Sequence, residues 1–345
     1  MKTQGILKIK MRQPDLVEQG TTFACPACRG SLLDRLEGPV CIDCGRPYPM
    51  VAGLVDLRLE SDRYLSLEAE RAKAERLHRL EPETNLQGLA EAYYAITDDV
   101  LDARRGRFLR HIAGAVARGE ALASRLPRDG RILEVGCGTG GLLVPALRSG
   151  RSIEAVDIAS RWLVVARRRL ADHGLTGRLV AASAERLPWD DGQFDAVVAD
   201  SLIEHLDDPA QALREWVRVL RPGGRLIVWS PNRYMLGTDP HVGLWGLGWL
   251  PRAWVSGYLR LRRRQVWPPR TLSANEARRL AREAGLERVA VDVPAVSESW
   301  ARSLPPRQRR AVGAYSAARR WSGSRALLRA IGPLWELTAT KGEAA

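Results

Sequence analysis

Four cysteines near the start of the 345-residue chain have a spacing that suits a metal ion. Cys25, Cys28, Cys41 and Cys44 form the pattern C-x2-C-x12-C-x2-C. Each C-x2-C pair forms a tight turn called a zinc knuckle. Two knuckles can bring four thiolates around one tetrahedral Zn²⁺, with each sulfur about 2.3 Å from the metal. Four protein ligands leave no position for water, so we expect a structural zinc ion and not a catalytic one. Disulfides are disfavoured, because nothing in the sequence indicates export to an oxidising compartment.

A glycine-rich loop is the second feature that can do chemistry. The residues ILEVGCGTGG occupy positions 132–141 and follow a predicted strand. Gly136 and Gly138 allow a tight turn with close approach of the backbone to a ligand, and Gly140 helps the next helix to pack. Because Gly136, Gly138 and Gly141 also satisfy G-x-G-x-x-G, the loop alone leaves a nicotinamide dehydrogenase open.

Two carboxylates accompany this loop. Glu134 lies two residues before the first glycine, where it could hold the amino-acid end of a cofactor or cap the loop. Asp157 ends the second predicted strand and suits ribose hydroxyls, and Ile158 next to it belongs to the same predicted site. Cys137 lies inside the loop, and we interpret it as a small buried residue and not as a nucleophile.

The elements that would position these residues alternate in type from Arg131 onward. This βαβ order predicts an α/β fold, a parallel sheet with helices on both faces. Upstream, residues 61–126 have helical spacing, with breaks at Pro82 and near Thr97 and Asp98. The predicted strands are 131–135, 153–158, 178–182, 195–200, 225–229, 287–293 and 334–340, and the predicted helices are around 140–148, 160–173, 209–220 and 273–284.

Two segments of this region carry a family resemblance. ASAERLPWDDGQFDAVVADSLIEHLDDP (182–209) and LRPGGRLIVWSPN (220–232) resemble class I S-adenosylmethionine-dependent methyltransferases of the type 11 domain family. The resemblance implies S-adenosylmethionine as cofactor. It also implies a Rossmann-like sheet of seven strands whose final strand is inserted antiparallel.

The same resemblance implies further cofactor residues. It places Ala184 and Glu185 in the loop around adenine, and it places Asp200 and Ser201 beside the cofactor at the end of the fourth strand. Many relatives have aspartate where this chain has Ser183. Backbone groups could still hold adenine there, but a side-chain contact to its amino group is not expected.

The cysteine segment resembles a family too. CPACRGSL…CIDCGRPYPMVAGLVDL is similar to Trm112-like zinc ribbons, whose tail after the second knuckle matches Tyr48, Pro49, Gly53 and Leu54. Such ribbons occur within methyltransferases or as partners that activate them. The predicted divisions are a zinc ribbon at 1–60, helical material at 61–126, and a methyltransferase domain at 127–345 with a tryptophan-rich acceptor-side insertion at about 231–272.

Two histidines are the candidates for catalysis. His205 follows the fourth strand, where its role in related sequences is often structural, so we favour loop-fixing over proton transfer. His241 lies in the irregular insertion near Asp239 and could be an oriented base or a loop stabiliser. Glu204 and His205 by themselves are too few ligands to predict a second metal ion.

The distribution of charged and aromatic residues bears on the predicted acceptor. The formal net charge is +13, yet residues 252–345 hold 19 basic and 7 acidic residues, which is nearly the whole excess. Eight of the eleven tryptophans fall between Trp229 and Trp335, where they suit a lid, an apolar acceptor pocket or a membrane interface. We therefore predict O-methylation of a hydrophobic small-molecule or lipid- or glycan-linked acceptor.

Two alternatives stay open at this point. An RNA base N-methyltransferase would use the basic C-terminal quarter along phosphates, and an inactive chain would act as an activating partner. No signal peptide and no stretch of about 20 apolar residues is recognised, so a cytoplasmic protein is expected. A peripheral membrane contact through the Trp- and Arg-rich C-terminal part is a further interpretation.

Overall fold

The computed structural model describes residues 23–97, 102–262 and 270–343. The cysteine segment folds into two small antiparallel hairpins, the second closed by Ala52 and Gly53, both with positive φ. Such a pair is typical of a tight two-residue hairpin turn. The strands are β1 (Leu32–Leu33), β2 (Val40–Cys41), β3 (Met50–Val51) and β4 (Leu54–Val55).

Three helices link this module to the main sheet. They are α1 (Leu67–Leu80), α2 (Leu86–Ala95) and α3 (Asp102–Ala123). Helix α1 begins at the N-cap Ser66, and α2 begins at the N-cap Asn85, whose side chain accepts a hydrogen bond from Gly88 N. The predicted break at Pro82 is a short 3₁₀ turn, Glu81–Glu83. The break near Thr97 precedes α3, while Asp98 lies outside the described residues.

A seven-stranded sheet forms the main body. Its strands are β5 (Arg131–Val135), β6 (Ser152–Asp157), β7 (Arg178–Ala181), β8 (Phe194–Asp200), β9 (Leu220–Pro231), β10 (Leu286–Asp292) and β11 (Leu334–Lys341). Their order is β10-β11-β9-β8-β5-β6-β7, and β11 is antiparallel to both of its neighbours. The α/β fold with an inserted antiparallel last strand is therefore confirmed.

Helices cover both faces, which explains why the central strands are nearly continuous apolar runs. They are α4 (Leu143–Arg148), α5 (Ser160–Asp172), α6 (Pro209–Val219), α7 (Arg252–Leu261), α8 (Ala274–Glu283), α9 (Glu298–Ser303), α10 (Pro306–Ala318) and α11 (Ser322–Ile331). None of the described helices has the length and hydropathy that crossing a bilayer requires.

The insertion contains more structure than its sequence predicts. A 3₁₀ turn, Leu247–Trp249, and helix α7 lie within the segment that we expected to be irregular. Val242, Leu244 and Leu259 are buried in a small core of their own. Local burial therefore fixes the fold of this segment, which the sequence pattern alone did not indicate.

Candidate active site

The glycine loop connects β5 to the helix that follows. Gly136 N donates to the carbonyl oxygen of Val156 at 2.8 Å, and Gly138 N donates to Asp157 Oδ2 at 2.8 Å. Gly140 has φ of +73°, and a Cβ there would lie 3.0 Å from the Cβ of Ala166. Glycine at this position thus lets the loop pack tightly on α5 in a left-handed conformation.

A cavity of about 210 Å³ opens beside this loop, at the carboxyl ends of the strands. Such an edge is where ligands bind in open α/β sheets. The candidates that line it are Gly136, Asp157, Ile158, Ser183, Ala184, Glu185 and His205. The candidates outside its lining are Glu134, Cys137, Gly138, Gly140, Asp200, Ser201 and His241. Half of the predicted cofactor residues thus surround one space.

Three carboxylates make this region electrostatically negative. Burial, and then the charges of Asp200 and Asp157, raise the pKa of Glu134 well above its usual value. Glu134 Oε2 has no hydrogen-bond partner among the described residues. Burial also raises the pKa of Asp157, although its carboxylate accepts hydrogen bonds from two backbone N–H groups. A cationic ligand would stabilise the ionised forms of Glu134 and Asp157.

Asp200 has a partner that the sequence did not reveal. Arg118 of α3 donates from Nε to Asp200 Oδ2 at 2.7 Å and from Nη2 to Ser201 Oγ at 2.7 Å. Its guanidinium lies 5.4 Å from the ring centroid of Trp300. Ser201 has φ of +53°, an uncommon conformation for a residue other than glycine. Helix α3 therefore holds the end of β8 in place.

The chain segment after the hairpins also contributes to the cavity. Each residue of the segment 57–64 except Arg58 lines it. Arg58 anchors the segment instead, because its Nη1 donates to the carbonyl oxygen of Ile158 at 2.9 Å and its Nε donates to Asp56 Oδ1 at 2.7 Å. Leu57 N donates to the carbonyl oxygen of Ala181 at 2.7 Å, beside β7. No motif in the sequence marks this contribution.

The cysteine module packs directly against the main domain. Arg29 donates to both carboxylate oxygens of Glu215 on α6, at 2.6 and 2.8 Å. Phe23 meets Trp189 edge to face, with ring centroids 5.6 Å apart. Cys25 and other buried residues of the module belong to the same apolar core as Trp189. The module is thus continuous with the sheet that carries the cavity.

The four cysteines are grouped as a metal site requires. Cys25 Sγ and Cys44 Sγ lie 3.8 Å apart, and Cys28 Sγ and Cys41 Sγ lie 3.5 Å apart. A tetrahedron with metal–sulfur bonds of about 2.3 Å has edges of about 3.8 Å. All four sulfurs lie within 4.8 Å of one another. Tyr48, predicted from the ribbon tail, is buried with its hydroxyl 3.0 Å from Cys25 Sγ.

The two histidine candidates contact each other beside the cavity, which His205 lines. Their ring centroids are 4.6 Å apart and nearly perpendicular. His241 Nε2 lies 3.7 Å from Glu204 Oε1, and His241 Nδ1 lies 3.6 Å from Asp239 Oδ1. Asp239 fixes the turn, because its Oδ1 accepts hydrogen bonds from His241 N and Val242 N at 2.9 Å. The chain therefore returns to place His241 beside the loop after β8.

Burial and neighbouring charges shift the pKa values of Glu204, His205 and His241 in different directions. Burial raises the pKa of Glu204 to about 6, and burial together with nearby His241 lowers the pKa of His205 to about 3. Burial also opposes the charged form of His241, but Asp239 and Glu204 outweigh it and raise the pKa of His241. His205 is thus kept neutral near pH 7, whereas the pKa of His241 lies above its usual value.

Some polar atoms in this cluster are buried without a partner in the described structure. They are Glu204 Oε1 and His241 Nδ1. Glu204 Oε2 accepts a hydrogen bond from Ser230 Oγ at 3.0 Å, which fixes the carboxylate. One ligand atom each from Glu204, His205 and His241 lies within 4.8 Å of the others, so the cluster can hold a proton or a cation. Buried polar atoms without a hydrogen-bond partner are rare in folded proteins, and they often mark a functional site.

Comparison with known proteins supports the architecture described so far. The methyltransferase-domain family matches residues 133–228, which contain the glycine loop, Asp157 and the loop after β8. The chain therefore carries a class I S-adenosylmethionine-dependent methyltransferase domain. The match does not extend to the cysteine module or to the C-terminal helices.

Relatives of the methyltransferase domain include two quinone-biosynthesis enzymes. A ubiquinone/menaquinone biosynthesis C-methyltransferase of Proteus mirabilis is 40% identical over 123 residues, covering 34% of this chain and 48% of the relative. A ubiquinone biosynthesis O-methyltransferase of Caulobacter sp. is 37% identical over 126 residues, covering 34% of this chain and 50% of the relative. The chain thus spans about half the length of these curated relatives.

Among solved structures, an S-adenosylmethionine-dependent methyltransferase from Thermotoga maritima is similar in fold. It is 24% identical, with 68% of this chain and 95% of that chain covered, and the TM-score is 0.43.

Proposed function

We propose that this chain transfers a methyl group from S-adenosylmethionine to the hydroxyl oxygen of a hydrophobic small-molecule or lipid- or glycan-linked acceptor. The observation that carries the proposal is the cluster of Glu204, His205 and His241, in which His205 lines the cavity and the other two lie next to it. A hydroxyl must lose its proton when it is methylated, and this cluster offers a group to receive it.

The polar groups in and next to the cavity suit the cofactor chemically. When bound, S-adenosylmethionine supplies a methyl group made electrophilic by a sulfonium. Glu134 has a buried, unpartnered carboxylate oxygen suited to an ammonium group, and Asp157 ends β6 where ribose hydroxyls can donate to it. The buried carboxyl groups of Glu134 and Asp157 favour a ligand that carries positive charge.

His241 is the proposed base. Bound S-adenosylmethionine would supply the methyl group, and His241 would accept the proton that the acceptor hydroxyl loses when its oxygen is methylated. Glu204 and Asp239 stabilise the imidazolium that results, and they account for the raised pKa of His241. Alignment of the oxygen with the methyl group contributes several kcal/mol more.

His205 has a positioning role in this proposal. Its Nδ1 lies 2.8 Å from the hydroxyl of Tyr64, which belongs to the segment 57–64 over the cavity. The lowered pKa of His205, about 3, makes it a weak base near neutral pH. It therefore links the cavity wall to the loop that carries Glu204.

We also propose that the four cysteines bind one structural Zn²⁺. Sulfur–sulfur distances of 3.5 and 3.8 Å support this, because they are close to the edges of a zinc–thiolate tetrahedron. The metal would stabilise a module whose strands are only two residues long.

The test uses zinc-loaded protein with methyl-labelled S-adenosylmethionine and a panel of acceptors with hydrophobic hydroxyls, with RNA as the competing acceptor. We expect label on a hydroxyl acceptor, and we expect Asp157→Ala to abolish cofactor binding. His241→Gln should lower turnover by about 10²-fold or more with cofactor affinity unchanged. His173→Gln, at the exposed end of α5, is the matched control.

Three outcomes would contradict the proposal. They are label transfer to RNA alone, cofactor binding that favours NADH, and full activity of His241→Gln over the whole pH range. A cytoplasmic location with peripheral membrane contact stays a prediction. Trp245, Trp249 and Trp254 are exposed, which supports such contact, and co-sedimentation with anionic vesicles tests it.

A further inference from the structure

A second cavity, of about 480 Å³, lies on the other side of the loop that carries Glu204 and His205. The insertion, α8 and the first residues of α6 enclose it. Arg270 lies between the two cavities, because it lines this one and its guanidinium donates to the carbonyl oxygen of Asp207, which lines the first. Its backbone N–H donates to the carbonyl oxygen of Glu204 at 2.9 Å. The methyltransferase chemistry described above makes no use of this cavity.

The polar part of the cavity carries excess positive charge. Four arginines line it, Arg233, Arg252, Arg270 and Arg279, together with two carboxylates, Asp208 and Glu276. Arg279 also pairs with Glu283, outside the lining, at 3.2 Å. Glu276 Oε1 accepts hydrogen bonds from both Arg233 and Arg252, at 3.0 and 2.9 Å. One carboxylate thus lies between two guanidinium groups and neutralises only one of them. The guanidinium of Arg270 donates to the carbonyl oxygen of Asp207, which is a neutral partner.

Two helix N-termini add to this field. Helix α6 begins at Pro209, which lines the cavity, and α8 begins just after Leu272, which lines it too. The N-terminus of a helix carries a partial positive charge that favours anions. The first N–H groups of these helices already donate to Asp208 and to the Ser273–Glu276 capping box. The helices therefore contribute their partial charge to the cavity, but no hydrogen-bond donors.

The rest of the wall is apolar. Leu247, Leu250 and Val255 of the insertion face Leu272 and Leu280 across the cavity. An inorganic anion would use only the arginine end, and a hydrocarbon would use only this wall. The ligand that satisfies both parts has an anionic head and an apolar chain.

We propose that this cavity binds an amphiphile with a phosphoryl head group and a hydrocarbon chain, such as an alkyl or isoprenoid phosphate. The arginines hold the phosphoryl oxygens, since guanidinium groups pair with phosphate through two parallel hydrogen bonds. The leucine wall covers the chain. Binding of this amphiphile does not depend on the proposed methyltransferase function. One consequence does rest on that function: the bound amphiphile would carry the hydroxyl that is methylated.

The test is calorimetric titration of the full-length, zinc-loaded protein with decyl phosphate, inorganic phosphate and 1-decanol. We expect decyl phosphate to bind about tenfold or more tightly than either of the other two. Arg252→Gln and Arg270→Gln should each weaken its binding by about tenfold, since each removes a charged donor. Arg260→Gln is the matched control, because Arg260 lies on the same helix as Arg252 but outside the lining.

Equal binding of decanol would show a merely apolar site, and equal binding of inorganic phosphate would show a simple anion site. Either result overturns the proposal, as does no binding of decyl phosphate. Titration of S-adenosylmethionine into the same samples separates the two proposals. Unchanged cofactor binding in the Arg252 and Arg270 variants would show that these variants are folded. If the wild-type protein did not bind S-adenosylmethionine, that result would contradict the proposed function and leave the proposal for this cavity intact.

Discussion

The contact between Asp56 and Arg58 ties the cysteine module to the cofactor cavity, and it can be broken by one substitution. Asp56 is fully buried and accepts hydrogen bonds from Arg58 Nε and Nη2 and from Arg71 Nε, each at 2.7 Å. The Arg58→Met variant keeps most of the side-chain stem but removes the two charge-assisted bonds of Arg58. It also removes the bond to the carbonyl oxygen of Ile158.

The magnitude follows from these contacts. Removing one partner of a buried ion pair costs about 3–5 kcal/mol, because the remaining charge is left without compensation. Arg71 still pairs with Asp56 in the variant, so we expect the lower end, a loss of about 3 kcal/mol in the free energy of unfolding. Affinity for S-adenosylmethionine should fall about tenfold, because the segment 57–64 then covers the cavity only part of the time.

The assay is urea unfolding followed by tryptophan fluorescence and circular dichroism, with calorimetric titration of the cofactor. Arg71→Met is the matched control: Arg71 gives one bond to Asp56, its side chain is 36% exposed, and its loss should cost about 1 kcal/mol. Asp56→Asn combined with Arg58→Met should be more stable than Arg58→Met alone, because no charge is stranded. Equal stability of the two single variants, with unchanged cofactor affinity, would refute the reasoning.

Two further predictions concern the buried carboxylate and the metal. Burial raises the folded-state pKa of Glu204 from 4.5 to about 6, so its ionisation lowers stability as pH rises through this range. In urea unfolding without added divalent cations, Glu204→Gln should gain about 2 kcal/mol at pH 8 but under about 1 kcal/mol at pH 5; equal gains would contradict this assignment. Removal of zinc with a chelator should abolish cofactor binding, since the module holds the segment 57–64, and added Zn²⁺ should restore it. Full cofactor affinity in the metal-free protein would contradict that coupling.

The sheet was predictable because its signals are local. Apolar runs such as that before Val135, a glycine-rich turn and an aspartate at the end of the next strand each lie within a few residues. The cysteine spacing was equally local, and the structure brings all four sulfurs together. Features that depend on residues close together in the sequence could therefore be predicted from the sequence pattern.

The remaining parts of the site depend on distant contacts. Arg118 reaches Asp200 from a helix that has no motif, and a polar stretch at 57–64 covers the cavity without any signature. His241 and His205 were separate candidates, and only the small core around Val242 places one beside the other. A polar residue in a linker has the same appearance in sequence whether it faces solvent or a ligand.

Seven of the described tryptophans fall into two groups that differ in exposure to solvent. Trp189, Trp216, Trp229 and Trp335 are fully buried, whereas Trp245, Trp249 and Trp254 of the insertion are 50–66% exposed. Collisional quenchers such as acrylamide will reach the exposed group and not the buried group. Trp321, at the start of α11, is 74% exposed as well. In a Trp321→Phe variant, quenching would therefore report events on the insertion, and the blue-shifted emission that remains would report the integrity of the sheet.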